Sequence, residues 1–298
     1  MTTSKAEFRQ TLKGLAFVSP WIVGFLLFTA VPIVLAVYYS FCEYPLTKPP
    51  VFIGLQNYKE LATDGIFWQT VGNTAYYAIL VLPLSLILAL SVAMLLNAKI
   101  RGLSIYRTIV FLPSLVPAVA SAMLWLWLFN AKLGLINLVL QGIGISDPPA
   151  WLADPVWSMP ALVLMSLWGV GNTIIIYLAG LQDVPRELYE AADIDGATPW
   201  RKIWHVTLPS ISPVIFFNLI MGIIGTLQVY TQAELVMGGP GPARSTYFYT
   251  QYLFDNAFKT SLRMGYASAQ AMLQFLAILA LTAIAAWSSK KWVHYGGK

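Results

Sequence analysis

The chain divides itself by charge. Six stretches, 14–42, 66–98, 108–131, 155–182, 206–233 and 264–289, contain no Asp, Glu, Lys or Arg. Each exceeds the roughly 20 residues an α-helix needs to cross a hydrocarbon layer. Lipid offers no water to unpaired backbone groups, so only helices or a closed barrel can span it, and these runs are far too long for tilted barrel strands. The pattern predicts an all-α polytopic membrane protein with six transmembrane helices. Another uncharged stretch, 133–146, is shorter and carries Gly134, Gly142 and Gly144. It is too short to span and is expected as an interfacial segment, or as a plug folded against the bundle.

Prolines, glycines and aromatics refine the boundaries. Crossing 1 carries Pro20 and Pro32, which membrane helices tolerate because neighbours re-satisfy the freed carbonyls. Pro45, Pro49, Pro50 and Gly54 mark turns in the loop 43–65. Crossing 2 is expected at about 68–97, and the short loop 98–107 returns crossing 3 beside it. Crossing 3 opens with Pro113 and Pro117 and ends in Trp125, Trp127 and Phe129, a set suited to an interfacial aromatic belt. Crossings 4, 5 and 6 are expected at about 157–181, 213–235 and 264–289. Gly238-Gly239-Pro240-Gly241-Pro242 breaks the chain after the fifth. Residues 1–13 and 290–298 read as basic tails around a six-helix transmembrane domain, 14–289.

Composition agrees. Apolar residues make up 58% of the chain and charged residues 10%, about half or less of a soluble domain's share. The net charge of +5 would raise nucleic acid as a partner for a soluble protein. Here the basic residues follow membrane orientation instead, and no nucleic-acid partner is expected. Of the 18 Lys and Arg residues, twelve fall on the side of the N-terminus, among them Lys5, Arg9, Lys99, Arg101, Arg107 and Lys298, against six on the other. The positive-inside rule then places both termini in the cytoplasm. Cys42 stands alone, which excludes an internal disulfide or a cysteine metal cluster. The first apolar run is too long for a cleavable signal peptide and is read as a retained crossing.

Between crossings 4 and 5 the charges return. The excursion 182–212 contains Glu190-Ala191-Ala192-Asp193-Ile194-Asp195-Gly196 and, further on, Val206-Thr207-Leu208-Pro209. Two short helices are expected. Asp183 is placed to cap the first, with Pro185 in its first turn. Gly196 is placed to end it in a left-handed conformation. Thr198 is placed to cap the second, with Pro199 at its first position and Leu208-Pro209 as its stop. Leu188, Ala191, Ala192 and Ile194 give the first helix a small apolar face, and Trp200, Ile203 and Trp204 give the second bulk. An amphipathic hairpin lying on headgroups fits this spacing, as does a docking surface.

The stretch resembles the EAA loop of permease subunits of binding-protein-dependent ABC importers: Glu-Ala-Ala, three residues, Gly, nine residues, Ile, one residue, Leu-Pro. Glu190-Ala191-Ala192, Gly196 and Leu208-Pro209 match in type and spacing, with Val206 in place of isoleucine. Phe52 to Tyr58, Asn73-Thr74, Leu112-Pro113 and Gly265-Tyr266-Ala267 are similar to signatures of the carbohydrate-uptake, maltose-type branch. The resemblance implies a type I ABC importer permease fold. It implies that Glu190, Ala191, Ala192, Asp195, Gly196, Leu208 and Pro209 form a coupling surface for a cytoplasmic ATPase. It further implies a second homologous permease, an ABC ATPase dimer, an extracytoplasmic substrate-binding protein and a sugar substrate. ATP and Mg would be bound by the ATPase, with no cofactor in this chain. The site would be a bacterial or archaeal cytoplasmic membrane.

Amides within crossings are candidates for the substrate path, because an unpartnered amide in lipid is costly. Asn172 lies beside Trp168 and Gly169, and Gly225, Gln228 and Gln232 are spaced to share a helix face. In maltose-type permeases the sugar lies midway across the helices equivalent to crossings 4 and 5, which places Asn172 and Gln228 near it. The alternative role for both is hydrogen bonding between helices. No Asp or Glu lies well inside a crossing, which speaks against an ion-coupled secondary carrier. It also favours a neutral substrate over a polyamine or a glycerol phosphate ester. No nucleophile–base pair or metal constellation suggests an enzyme.

Overall fold

A computed structural model describes residues 5–98, 101–259 and 261–294, for 5–7 the backbone alone. The expectations for 1–4, Lys99 and 295–298 lie outside these residues. The chain forms two compact bodies, residues 1–64 with 253–276, and 65–252 with 277–298.

In the first body a long helix runs from α1 (Lys5–Phe25) through a π-helical turn, Leu26–Ala30, to α2 (Val31–Ser40). Residues 5–13, expected as a tail, are helical and continuous with the span. Phe17, Trp21 and Phe28 are exposed along it, as suits a helix in lipid. A two-stranded antiparallel ladder, β1 (Cys42–Glu43) with β2 (Val51–Phe52), closes the following loop, which leads into α3 (Gln56–Thr63). The Phe52–Tyr58 signature does structural work here. Buried Asn57 donates to the carbonyls of Ser40 and Cys42, each at 2.9 Å, satisfying the open end of α2.

The second body is built on α4 (Gly65–Leu96), which packs against α8 (Ser158–Trp168), α9 (Gly171–Gln182) and α13 (Ser212–Leu227). Among the described residues three helices are long and apolar enough to cross a membrane, Phe8–Ser40, Gly65–Leu96 and Met264–Ser289. Three bent pairs would bring the spans to six.

Several of the crossings are bent or broken. Crossing 3 is two helices, α5 (Leu103–Leu115) and α6 (Ala118–Leu128), meeting at 97°. Pro117 is the cause: its ring pushes Val116 to an extended backbone (ψ 127°) and removes a helical N–H. Crossing 4 bends by 45° between α8 and α9. Gly171 opens α9, and a Cβ there would lie 2.8 Å from Ser114 Oγ and 3.3 Å from Phe111 Cα, so only glycine lets α9 come this close to α5. Crossing 5 ends its first helix at Leu227 and resumes as α14 (Thr231–Met237).

Trp125 and Phe129 are a further correction. They do not form an interfacial belt. Both are buried in the core with Tyr77, Met159, Ala233 and Phe248, their rings stacked at 4.9 Å, and Trp125 meets Trp168 edge-on. Trp127 alone of that trio is exposed. The 133–146 stretch holds a short helix, α7 (Leu135–Gly142). It is pinned by buried Asn137, which donates to the carbonyls of Ala131 and Pro149 and accepts from Trp151 Nε1.

Candidate functional site

The excursion between α9 and α13 is a hairpin of α10 (Arg186–Ile194) and α11 (Pro199–Lys202), followed by a π-helical turn, Ile203–Thr207, and α12 (Leu208–Ser210). Its local chemistry explains its sharpness. Gly196 has φ +69°, a left-handed backbone that costs a β-carbon residue roughly 1–2 kcal/mol. The Ala197 N–H bonds the Ala192 carbonyl at 2.9 Å and the Gly196 N–H bonds that of Asp193 at 3.0 Å, a Schellman closure of α10. Thr198 Oγ1 then accepts from the Arg201 N–H at 3.4 Å, with Pro199 in the first turn of α11.

Two local expectations fail. Asp183 does not cap α10; it closes the C-terminus of α9, and Pro185 takes the N-cap position without a side-chain bond. Leu208-Pro209 does not stop the second helix either. The π turn widens the coil just ahead of Pro209, where a proline ring would otherwise crowd the preceding turn. The helical path continues to Ser210, whose hydroxyl donates to the Val206 carbonyl at 2.7 Å. The chain turns by 68° only after that, into α13.

The base of the hairpin is anchored and its tip is not. Val184 and Ile211 are buried in a core with Ala89, Ala93, Tyr177 and Leu181, and Tyr189 packs on that core. Tyr189 Oη meets the hydroxyl of buried Thr207 at 3.0 Å, and Lys202 pairs with Asp193 across the hairpin. Thr207 and Tyr189 escaped the sequence reading, because a hydroxyl pair 18 residues apart leaves no periodic trace. Glu190, Ala191, Asp195 and Gly196 are exposed, while Ala192, Leu208 and Pro209 are half-buried. Beyond them Leu188, Ile194, Trp200 and Trp204 stand exposed, Ile194 at 87%. The two indoles meet edge-on at 6.0 Å.

The amides of the crossings fall into two sets. Gln232 accepts from the Ser166 hydroxyl at 3.2 Å, and Ser166 meets Tyr77 Oη at 2.7 Å, a polar chain linking α4, α8 and α14. The sequence reading missed Ser166 and Tyr77. Gln228, by contrast, lies at the non-helical end of α13, and Gln232 belongs to the next helix, so the expected common face of Gly225, Gln228 and Gln232 does not exist. Asn172 in the first turn of α9, Gln228, Gly169 and Gly225 are exposed, and Trp168 is half-buried. No group of three or more His, Cys, Asp or Glu suited to a metal occurs among the described residues.

Long apolar helices broken at proline and glycine, with a capped hairpin between two of them, define a membrane-embedded helical protein. Residues 82–294 match the family described as the binding-protein-dependent transport system inner membrane component, and the chain belongs to it. It is thus an inner-membrane permease component and not an enzyme. Among its relatives, the probable ABC transporter permease YesP of Bacillus subtilis is 38% identical over 100% of this chain and 97% of that protein. The lactose transport system permease LacF of Rhizobium radiobacter is 32% identical, over 97% of this chain and 99% of LacF. The trehalose/maltose transport system permease MalF of Thermococcus litoralis is 32% identical over 95% of each chain. The fold matches a chain of a bacterial ABC transporter that imports the acidic polysaccharide alginate, with a TM-score of 0.84 at 24% identity over 96% of this chain and 98% of that one.

Proposed function

We propose that this chain forms half of the translocation path of an ATP-driven sugar importer, the substrate being an oligosaccharide, disaccharide or glycoside. It crosses the cytoplasmic membrane six times, with both termini inside and the 182–212 hairpin on the cytoplasmic side. A second permease completes the path. An extracytoplasmic binding protein delivers the sugar, and a cytoplasmic ATPase pair, which holds ATP and Mg, grips the 182–212 hairpin.

The observation that carries this reading is the hairpin itself. A docking lever must transmit force, so it must be stiff, and it must offer apolar surface to its partner. Caps at Gly196 and Thr198, the Tyr189–Thr207 contact and the Lys202–Asp193 pair supply stiffness. Ile194, Trp200 and Trp204 supply the surface. ATP binding would close the ATPase pair and shift the hairpins of both permeases, rocking the spans between inward-open and outward-open.

Sugar is favoured by the relatives that carry lactose and trehalose/maltose in their names and by the neutral character of the spans. Exposed Asn172 and Gln228 offer amide donors and acceptors to hydroxyls, and half-buried Trp168 lies four residues before Asn172 in the same crossing. The test is co-purification with the ATPase and second permease, followed by ATP-dependent sugar uptake in vesicles. Gly196→Asp, which puts a negative charge on the docking tip, should abolish association and uptake, and Gly196→Asn, of the same shape and left-handed tolerance but uncharged, should retain much of both. Full uptake by the Asp variant would sink the coupling role.

A further inference from the structure

The first half of α5 carries a cation, Arg107, that has no acidic partner among the described residues. Arg107 donates from Nη2 to the Leu96 carbonyl at 3.1 Å, while its Nε is buried and has no hydrogen-bond partner. Residues 97–107 contain no Asp or Glu, and the ion pairs among the described residues do not include Arg101 or Arg107. A guanidinium presents five N–H donors in a planar fork, and among the described residues one of them is committed.

Beside Arg107 opens a groove of about 340 Å³ within the second body. Leu96, Val110, Phe111, Leu115, Ile174 and Leu178 line it, and Thr108 is the only polar residue there apart from Arg107. The helix edge running away from Arg107 stays apolar and exposed at Ile109, Leu112 and Leu115. An apolar channel capped at one end by a single cation has the polarity of a phospholipid, one acyl chain behind one phosphate. The family places this chain in the inner membrane, so lipid is its solvent.

We propose that this groove binds an anionic phospholipid, its phosphate on the Arg107 fork and an acyl chain along α5 and α9. Arginine is suited to the task, because its fork matches phosphate oxygens two at a time. Basic pockets between membrane helices are a known way of holding acidic headgroups. A helix of a second permease laid in the groove would cover the apolar wall and leave the guanidinium without a counter-charge, which is costly beside hydrocarbon. The proposal depends neither on the sugar nor on the coupling hairpin.

The test is native mass spectrometry of the purified full chain, titrated with phosphatidylglycerol and with phosphatidylcholine of the same acyl chains. Wild type should retain phosphatidylglycerol at least about tenfold better, the size of one charge-assisted contact. Arg107→Gln should erase that preference, and Leu115→Trp, which fills the groove from its exposed rim, should weaken both lipids. A photoreactive phosphatidylglycerol needs no variant: it should label 103–115 and 171–178. Equal retention of the two lipids, an unchanged preference in Arg107→Gln, or labelling elsewhere overturns the proposal. So does competition by inorganic phosphate, which would make the site one for free anions. Loss of labelling when the second permease is added would give the groove to that subunit instead.

Discussion

Two segments of the second body join membrane helices with similar material, glycine, proline and a few polar residues, and they use it in opposite ways. Segment 238–252 turns inward. Thr246 and Phe248 are fully buried, and the strained left-handed backbones of Ala243 and Arg244 are held from outside the loop. Asn73 donates to the Arg244 carbonyl at 2.8 Å and the Tyr247 carbonyl at 3.0 Å, and Thr74 Oγ1 accepts from the Tyr249 N–H at 2.9 Å. Segment 186–207 turns outward. It closes its own backbone with caps and leaves Ile194, Trp200 and Trp204 to the surroundings. The lesson is that a loop whose bonds go to its own body is part of the fold. A loop that is rigid yet exposes large apolar side chains is built for something else to hold.

The contrast can be broken most decisively at Gln251. Its buried amide accepts from the Phe248 N–H at 3.0 Å and donates to Glu234 at 3.1 Å and to the Gly239 carbonyl at 3.3 Å. Gln251→Leu should cost about 3 kcal/mol or more, read as a lower unfolding midpoint in detergent, because three bonds go and one of them is to a carboxylate. Asn73→Ala should cost about 1–3 kcal/mol by the same assay, since it strips two loop carbonyls of their donor. If either variant unfolds like wild type, the inward segment is not held as described.

Ile194→Ser sharpens the other side of the comparison. The residue touches little, so stability should move by less than about 0.5 kcal/mol. Binding to the ATPase should nevertheless fall by about tenfold, roughly 1.4 kcal/mol. Unchanged binding in a pull-down would turn the exposed tip into a headgroup anchor.

The smallest effect is expected in the first body. Arg263 makes a two-pronged pair with Glu60 at 2.6 and 2.5 Å, and this hydrogen bonding holds the Glu60 carboxyl below its ordinary range. A depressed folded pKa means the pair stabilises above the unfolded value of about 4.3 and that this support is lost as pH falls through the lower folded value. The pair is nearly half exposed, so it is worth about 0.2–1 kcal/mol. Glu60→Gln should flatten the acid side of the stability curve by that amount; an identical curve would remove the pair from the account.

Much of this was legible from residue order. The spans at 66–98 and 264–289 emerge as Gly65–Leu96 and Met264–Ser289, because an uncharged run of that length has one low-energy conformation in lipid. Gly196 and Thr198 were readable for a different reason: a helix end is satisfied by residues within one turn of it. The failures share a cause as well. Trp125 and Phe129 suit a belt by composition, but they face Trp168, Met159 and Ala233, which come from distant parts of the chain. The polar chain Tyr77–Ser166–Gln232 spans 155 positions, and no period encodes it.

By itself, then, the order of residues determined which stretches are long apolar helices and where the turn at Gly196 and the cap at Thr198 fall, since charge, proline and glycine act within a turn or two of backbone. Only the tertiary structure decided where the spans bend, which amides are bonded and which stand exposed, and where Arg107 meets an apolar groove. Those outcomes depend on how closely two helices approach. At Gly171 against Ser114 that distance is set by a missing β-carbon on one helix and the shape of another more than fifty residues away.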